Sequence, residues 1–254
     1  MNSLLSINNL KVSVGKKVLV DNVSFDVPQG KIVAIAGGSG SGKTTIGLSI
    51  LRLLAPALSV KQGSIVFEGH DLLGLNPEDM RQRRGARIGM VFQEPLSAFD
   101  PLFTVGQQID EVVAEHTQLS KQERYKKILE IFSEVELPDP PRAYKSFPHQ
   151  LSGGMRQRAM VAQAIVCGPS LIIADEPTSS LDVTLQIKIM ELFGRLKKKN
   201  ISILLIAHDL GMIAHLADEV IILRAGEMVE KGPVEKVIQQ PRHEYTKALV
   251  EAFQ

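Results

Sequence analysis

Short apolar runs alternate with amphipathic stretches of helical period along most of this chain. That is the pattern of an α/β protein with a largely parallel sheet. Lys31–Ala36 predicts a strand, followed by a glycine-rich loop and a helix from about Lys43 to Leu54. Leu171–Asp175 and Ile203–Ala207 predict two further strands, apolar throughout and therefore buried, and Ile88–Phe92 is strand-like as well. Leu4–Val12, Val23–Val27 and Gly63–Phe67 alternate instead, which predicts an antiparallel β lobe beside the core. Val105–Leu137 is charged, helical in period and without a strand candidate, a helical insertion that Pro138, Pro140 and Pro141 end abruptly. The proline-bearing stretch to Pro148 then serves as its return link. After Glu219–Leu223 a hairpin is expected about Ala225–Gly226, and a terminal helical piece closes at Gln254.

Composition narrows the class of protein. The 254 residues, with 44% apolar and 22% charged positions, are ordinary for one domain or a core with a smaller lobe. A net charge of +1 gives no electrostatic case for a nucleic-acid partner. Cys167 stands alone, which excludes an intramolecular disulfide and any all-cysteine metal or iron–sulfur site, and suits a reducing compartment. Met1–Leu10 lacks the basic start and apolar stretch of a signal peptide, and no run approaches the ~20 apolar residues that span a bilayer. Any membrane role is therefore expected to need a spanning partner.

Gly37-Gly38-Ser39-Gly40-Ser41-Gly42-Lys43-Thr44 matches the phosphate-loop pattern in full, between a predicted strand and a predicted helix. Glycines let successive N–H groups turn toward phosphate oxygens at a helix N-terminus whose dipole favours anions. Lys43 would reach the β- and γ-phosphates, and the Thr44 hydroxyl would bind Mg²⁺. The competing interpretation, a plain glycine turn, explains neither the lysine nor the hydroxyl. In Leu171–Glu176 an apolar strand delivers Asp175 and Glu176 at its C-terminal end, where open α/β sheets bind ligands. Side chains alternate along a strand, so the two carboxylates divide the work: Asp175 toward Mg²⁺, Glu176 toward an attacking water.

Three further candidates stay open on the residues alone. Leu151-Ser152-Gly153-Gly154-Met155-Arg156-Gln157-Arg158 is either a helix cap or a second anion site. His208, ending an apolar run before Asp209, and Gln93, after Ile88–Phe92, are in isolation as consistent with structural residues as with catalytic ones.

Together and in this order these residues resemble the nucleotide-binding subunits of ABC transporters. The resemblance covers essentially the whole chain, and Leu151–Gln157 looks like that family's own signature. It implies a phosphate-loop NTPase core of the ABC type with an antiparallel β lobe and a helical subdomain carrying the signature. Residues 1–92 and 165–254 would form the core, with the lobe and a short tail, and 93–164 the helical subdomain. It also implies that Gln93 is the Q-loop glutamine, which contacts Mg²⁺ and the γ-phosphate, and that His208 is the switch histidine. Ser179-Ser180-Leu181-Asp182 looks like the D-loop, and Thr45 joins Gly37 to Thr44 in contacting nucleotide. Family members work as head-to-tail pairs in which Ser152, Gly153 and Gly154 of one subunit close on ATP held by the other.

Within the class, Phe92–Pro101, Pro148–Gly154 and His243-Glu244-Tyr245-Thr246 are similar to the oligopeptide, dipeptide and nickel importer branch. That resemblance implies a MgATP-driven motor, intact in its catalytic residues, at the cytoplasmic face of the membrane. Its partners would be a second, non-identical nucleotide-binding subunit, two transmembrane permease subunits and, indirectly, an extracytoplasmic substrate-binding protein. Four departures stand out. Val14 replaces an aromatic residue that often stacks on adenine, Gly38 replaces a glutamate, Glu244 replaces a proline, and no cysteine-bearing extension follows Gln254. Gly38 and the short tail lean toward nickel-type members. The rival functions are an ABC exporter motor, disfavoured by Phe92–Pro101, and a soluble ABC ATPase acting on DNA or ribosomes, which would carry coiled-coil insertions or a second cassette. A regulatory module without turnover is a third, against which Glu176 and His208 argue.

Overall fold

The computed structural model describes residues 3–179 and 181–252. In chain order its elements begin β1 (Ser3–Val14), β2 (Lys17–Pro28), β3 (Ile32–Gly37), α1 (Lys43–Ile50), β4 (Leu58–Phe67), β5 (His70–Asp71) and α2 (Pro77–Arg83). They continue with β6 (Ile88–Val91), α3 (Val105–His116), α4 (Lys121–Glu134), α5 (Pro140–Lys145), α6 (Gly153–Ile165), β7 (Leu171–Asp175) and α7 (Val183–Lys198). The last are β8 (Ser202–Ile206), α8 (Leu210–Leu216), β9 (Glu219–Arg224), β10 (Glu227–Pro233), α9 (Val234–Gln239) and α10 (Glu244–Glu251). The chain divides into two compact units, Met1–Met80 with Phe193–Gln254, and Arg81–Leu192. Among the described residues no helix is long and apolar enough to cross a membrane.

The first unit holds the expected antiparallel lobe, in the order β2-β1-β4-β5. Its buried face is Leu5, Ile7, Leu10 and Val12 on β1, against Val27, Phe25, Val23 and Val20 on β2 and Phe67 and Ile65 on β4. Strict alternation would turn Leu10 and Val12 outward, because two residues, not one, lie between Ile7 and Leu10. The register shifts between them, and Asn9 takes a left-handed φ of 47°. Asn22, between Val20 and Val23, does the same at 53°. Asparagine tolerates that conformation, so each irregularity turns the strand and returns the apolar side chains to one face.

The same unit carries β3 flanked by β8 and β9, both parallel to it, with β10 antiparallel to β9. All residues of β3 and β8 are buried, the apolar signature of parallel strands covered on both faces. The hairpin falls where expected, with Ala225 and Gly226 both at positive φ (50° and 88°), as a tight two-residue turn requires.

α1 is shorter than expected. It stops at Ile50 because Arg52 adopts φ 53°, with Leu53 N–H bonding to Leu48 O and Arg52 N–H to Ser49 O. Those paired bonds close a helix in the way glycine usually does, here without glycine.

In the second unit β6 and β7 pair in parallel, and α3 to α5 build the helical insertion. Capping boxes Thr104/Gln107 and Ser120/Glu123 start α3 and α4. Arg124 of α4 binds Asp110 of α3 through Nε (2.7 Å) and Nη2 (3.0 Å). The expected return link contains a helix of its own. Pro140 and Pro141 open α5, with Asp139 capping Arg142 N–H at 3.3 Å, because proline is as compatible with a first helical turn as it is disruptive further in.

Candidate active site

In the first unit the loop 37–42 joins β3 to α1. Gly37 (φ 153°) lies against β9, where a Cβ would overlap the Leu223 carbonyl oxygen. Gly42, at φ 100° and ψ 2°, caps α1, and a Cβ there would sit 2.7 Å from Leu19 O. Only glycine turns the chain this way at so close a backbone approach. No side chain caps α1 and no acidic residue stands in its first turn, so neither would oppose an anion at that helix end.

Lys43 is buried, and its ammonium donates to Gly37 O (2.8 Å) and Gly38 O (2.9 Å). Ser41 Oγ is buried without a hydrogen-bond partner, a group that a phosphate oxygen would satisfy. Gly38 is half-buried, Ser39, Gly40 and Thr44 are exposed, and Thr45 is half-buried. The loop thus fits a phosphate chain. His208 also belongs to this unit, exposed just beyond β8. Its neighbour Asp209 caps α8, accepting from Gly211 N–H (2.8 Å) and Met212 N–H (3.2 Å), and so fixes the turn that presents the imidazole.

In the second unit Asp175 is buried at the end of β7, and Glu176 follows it half-buried. Glu176 holds a left-handed φ of 44°. For a residue other than glycine, asparagine or aspartate this costs about 1–2 kcal/mol. The turn is kept by Ser179, whose N–H and Oγ both donate to Glu176 O (3.3 and 3.2 Å). The exposed Gln93 donates through Nε2 to Glu176 Oε2 at 3.0 Å, so these two expected site residues do meet. Asp182 caps α7 through Leu185 N–H (3.0 Å), and Ser180 of the expected D-loop lies outside the described residues.

Of the two roles left open for Ser152, the cap is present: its Oγ accepts from Met155 N–H at 3.3 Å and starts α6. Ser152 and Gly153 are exposed and Gly154 is buried, so the helix end also remains open to an anion. Further along α6, Gln157 is buried and donates through Nε2 to Pro177 O at 2.6 Å, tying the signature helix to the residue after Glu176. Sequence reasoning gave Gln157 no role of its own, nor Tyr245, whose hydroxyl accepts from Gly38 N–H at 2.8 Å. Tyr245 stands in a tail motif that was visible; its partner in the loop was not. Thr44 in the first unit, and Gln93 and Asp175 in the second, each carry a hard oxygen donor of the kind Mg²⁺ prefers.

A glycine loop that parks a lysine at the head of a helix, and a buried strand ending in Asp-Glu, are the working parts of a phosphate-loop ATPase, and the chain is one. The model of the family described as "ABC transporter" matches residues 20–179. The chain is 44% identical to the dipeptide transport ATP-binding protein DppD of Bacillus subtilis, over 98% of this chain and 76% of that one. It is 42% identical to the oligopeptide transport ATP-binding protein OppD of the same organism, over 97% and 71% respectively. The solved ATP-binding cassette MJ0796, a dimer in a post-hydrolysis state bound to ADP and Pi, superposes with a TM-score of 0.81 at 27% identity, covering 91% of this chain and 98% of that one. The chain belongs to the ABC transporter family, as an ATP-binding subunit that hydrolyses ATP for an importer.

Proposed function

We propose that this chain hydrolyses MgATP through the residues named above and couples that hydrolysis to the import of small peptides. The observation that carries the reading is the phosphate loop, with Lys43 on the Gly37 and Gly38 carbonyls and Ser41 Oγ unpartnered. In this reading Gly37 to Thr45 hold the phosphates, and Lys43 moves from carbonyl to phosphate oxygen. Thr44, Gln93 and Asp175 would hold Mg²⁺, which would supply positive charge to the phosphates. Glu176 takes the proton of the attacking water, Gln93 keeps its carboxylate oriented, and His208 meets the γ-phosphate. Ser152, Gly153 and Gly154 offer the open end of α6 to nucleotide held by a second nucleotide-binding subunit.

That second subunit is a different chain, in this proposal, and the pair sits on two permease subunits at the cytoplasmic face of the membrane, served by an external substrate-binding protein. The peptide cargo is favoured by the names of the relatives. Gly38 favours a nickel cargo, the second reading. The test is the transporter reconstituted with its cognate subunits. Glu176→Gln should lower its ATPase rate by about 10²–10⁴-fold, the usual loss with a general base, while MgATP binding persists. Uptake of labelled dipeptide should fall in parallel. Near-normal turnover moves the base elsewhere, and uptake of nickel in place of dipeptide overturns the cargo.

A further inference from the structure

Lys43 is asked to do two things. Its ammonium holds the Gly37 and Gly38 carbonyls at 2.8 and 2.9 Å. An ammonium has three donors, so contact with both β- and γ-phosphate oxygens releases at least one of those carbonyls. The remaining tie on Gly38 O is the turn bond from Ser41 N–H, at 3.3 Å a long one. The loop needs another anchor at the moment nucleotide binds.

The tail helix supplies one. Tyr245 Oη accepts from Gly38 N–H at 2.8 Å. A Cβ at position 38 would lie 3.1 Å from that oxygen, closer than an ordinary contact, so a residue without a side chain lets the hydroxyl in unhindered. Tyr245 is itself held by two groups, one of which has a support of its own. His243 Nδ1 caps α10 by accepting from Tyr245 N–H (3.0 Å). Glu230 on β10 fixes that cap by accepting from Arg242 N–H and His243 N–H, each at 3.0 Å. The Arg224 guanidinium of β9 lies 5.3 Å over the centre of the tyrosine ring, within cation–π range. The strand β10, the cap and the ring thus form one connected support that ends on the phosphate loop.

We propose that Tyr245 is a positioning residue for nucleotide binding: it holds the Gly38 peptide in place while Lys43 turns from the loop to the phosphates. The proposal rests on the phosphate loop being the ATP site. It gives the tail motif His243-Glu244-Tyr245-Thr246 a purpose inside the ATPase, with His243 and Tyr245 acting in series.

The test measures kcat and KM for MgATP in the assembled transporter, and the MgATP dissociation constant of the full chain by titration. Tyr245→Phe keeps the ring and removes one hydrogen bond. It should raise KM and the dissociation constant about two- to tenfold, the span of one such bond, with kcat within about twofold. His243→Ala, which removes the cap, should move KM in the same direction, and His243→Asn, whose side-chain oxygen can take the Tyr245 N–H, should bring it back. Wild-type KM and dissociation constant in Tyr245→Phe overturn the proposal, even if its thermal midpoint drops, and so does a fall in kcat at unchanged KM. Lys43→Ala separates the two ideas: loss of MgATP binding there, with Tyr245→Phe unaffected, sinks only the tether. Undiminished binding by Lys43→Ala sinks the assignment of the loop itself.

Discussion

Gln157→Leu tests whether the signature helix supports the turn that carries Glu176. The leucine fills nearly the same volume and takes away only the amide. What remains is the Pro177 carbonyl, itself buried, deprived of a donor at 2.6 Å. A buried acceptor losing its partner costs about 1–3 kcal/mol. Gln157→Ala should cost roughly 1–2 kcal/mol more, because the side chain is 1% exposed and its removal leaves a cavity. Equilibrium denaturation of the full chain reads both, as a lower midpoint at unchanged slope. The activity of the assembled transporter should fall about tenfold in kcat, since small displacements of a reacting group are costly, with KM for MgATP little changed. If Gln157→Leu stays within about 0.5 kcal/mol of the parent and keeps its kcat, the bond neither stabilises the protein nor places Glu176.

Asp218 offers a prediction in pH. Burial pushes its carboxyl pKa up, but the Lys197 ammonium (2.8 Å), the Ile32 N–H (2.9 Å) and the Lys31 ammonium (3.0 Å) outweigh that and hold it below the ordinary value. A depressed carboxyl stabilises the fold above its unfolded pKa of about 3.9, and that contribution is lost as pH falls through the folded value. Asp218→Asn should therefore be less stable than the parent near neutral pH by about 1–2 kcal/mol, the gap closing in strong acid, and a gap that stays constant to about pH 2 refutes the assignment. Val14, half-buried on β1 opposite Lys17 and Leu58, is expected to leave adenine without a stacking partner. Val14→Tyr should tighten MgATP binding by about fivefold or more, the lower end of what base stacking provides, and no gain in titration means another side chain covers the base.

The buried strands were legible because Val33 to Ala36 and Leu171 to Ala174 are unbroken apolar runs that end in glycine or acid. The lobe was legible in part: alternation located Leu4–Val12 almost to the ends of β1, while the skip at Asn22 cut the apparent second strand to Val23–Val27 where β2 runs from Lys17 to Pro28. Arg52 hid the end of α1, because a left-handed arginine has no mark in sequence that a glycine would have. Pro140 and Pro141 were seen as breakers when they were starters, a distinction that depends on Asp139 folding back to cap them. The phosphate loop declared itself through local spacing alone. Gln157 and Tyr245 could not, since their partners stand 20 and 207 positions away in the chain and are backbone groups without residue identity. For Ser152 the bonds within the subunit are those of a cap, and its part in nucleotide binding rests on family resemblance.

The left-handed backbone at Glu176 bears on how this protein can change over generations. A glycine or asparagine would sit there with less strain, yet neither supplies the carboxylate proposed to activate water. Most substitutions that persist in a lineage are screened by stability first, and here that screen points away from activity. A library at position 176 selected only for resistance to heat would enrich inactive chains, and one selected for uptake would return to glutamate. Loss of turnover is therefore an easy step for a duplicated copy of this gene to take, and a folded, nucleotide-binding but silent paralogue is the form it would leave behind.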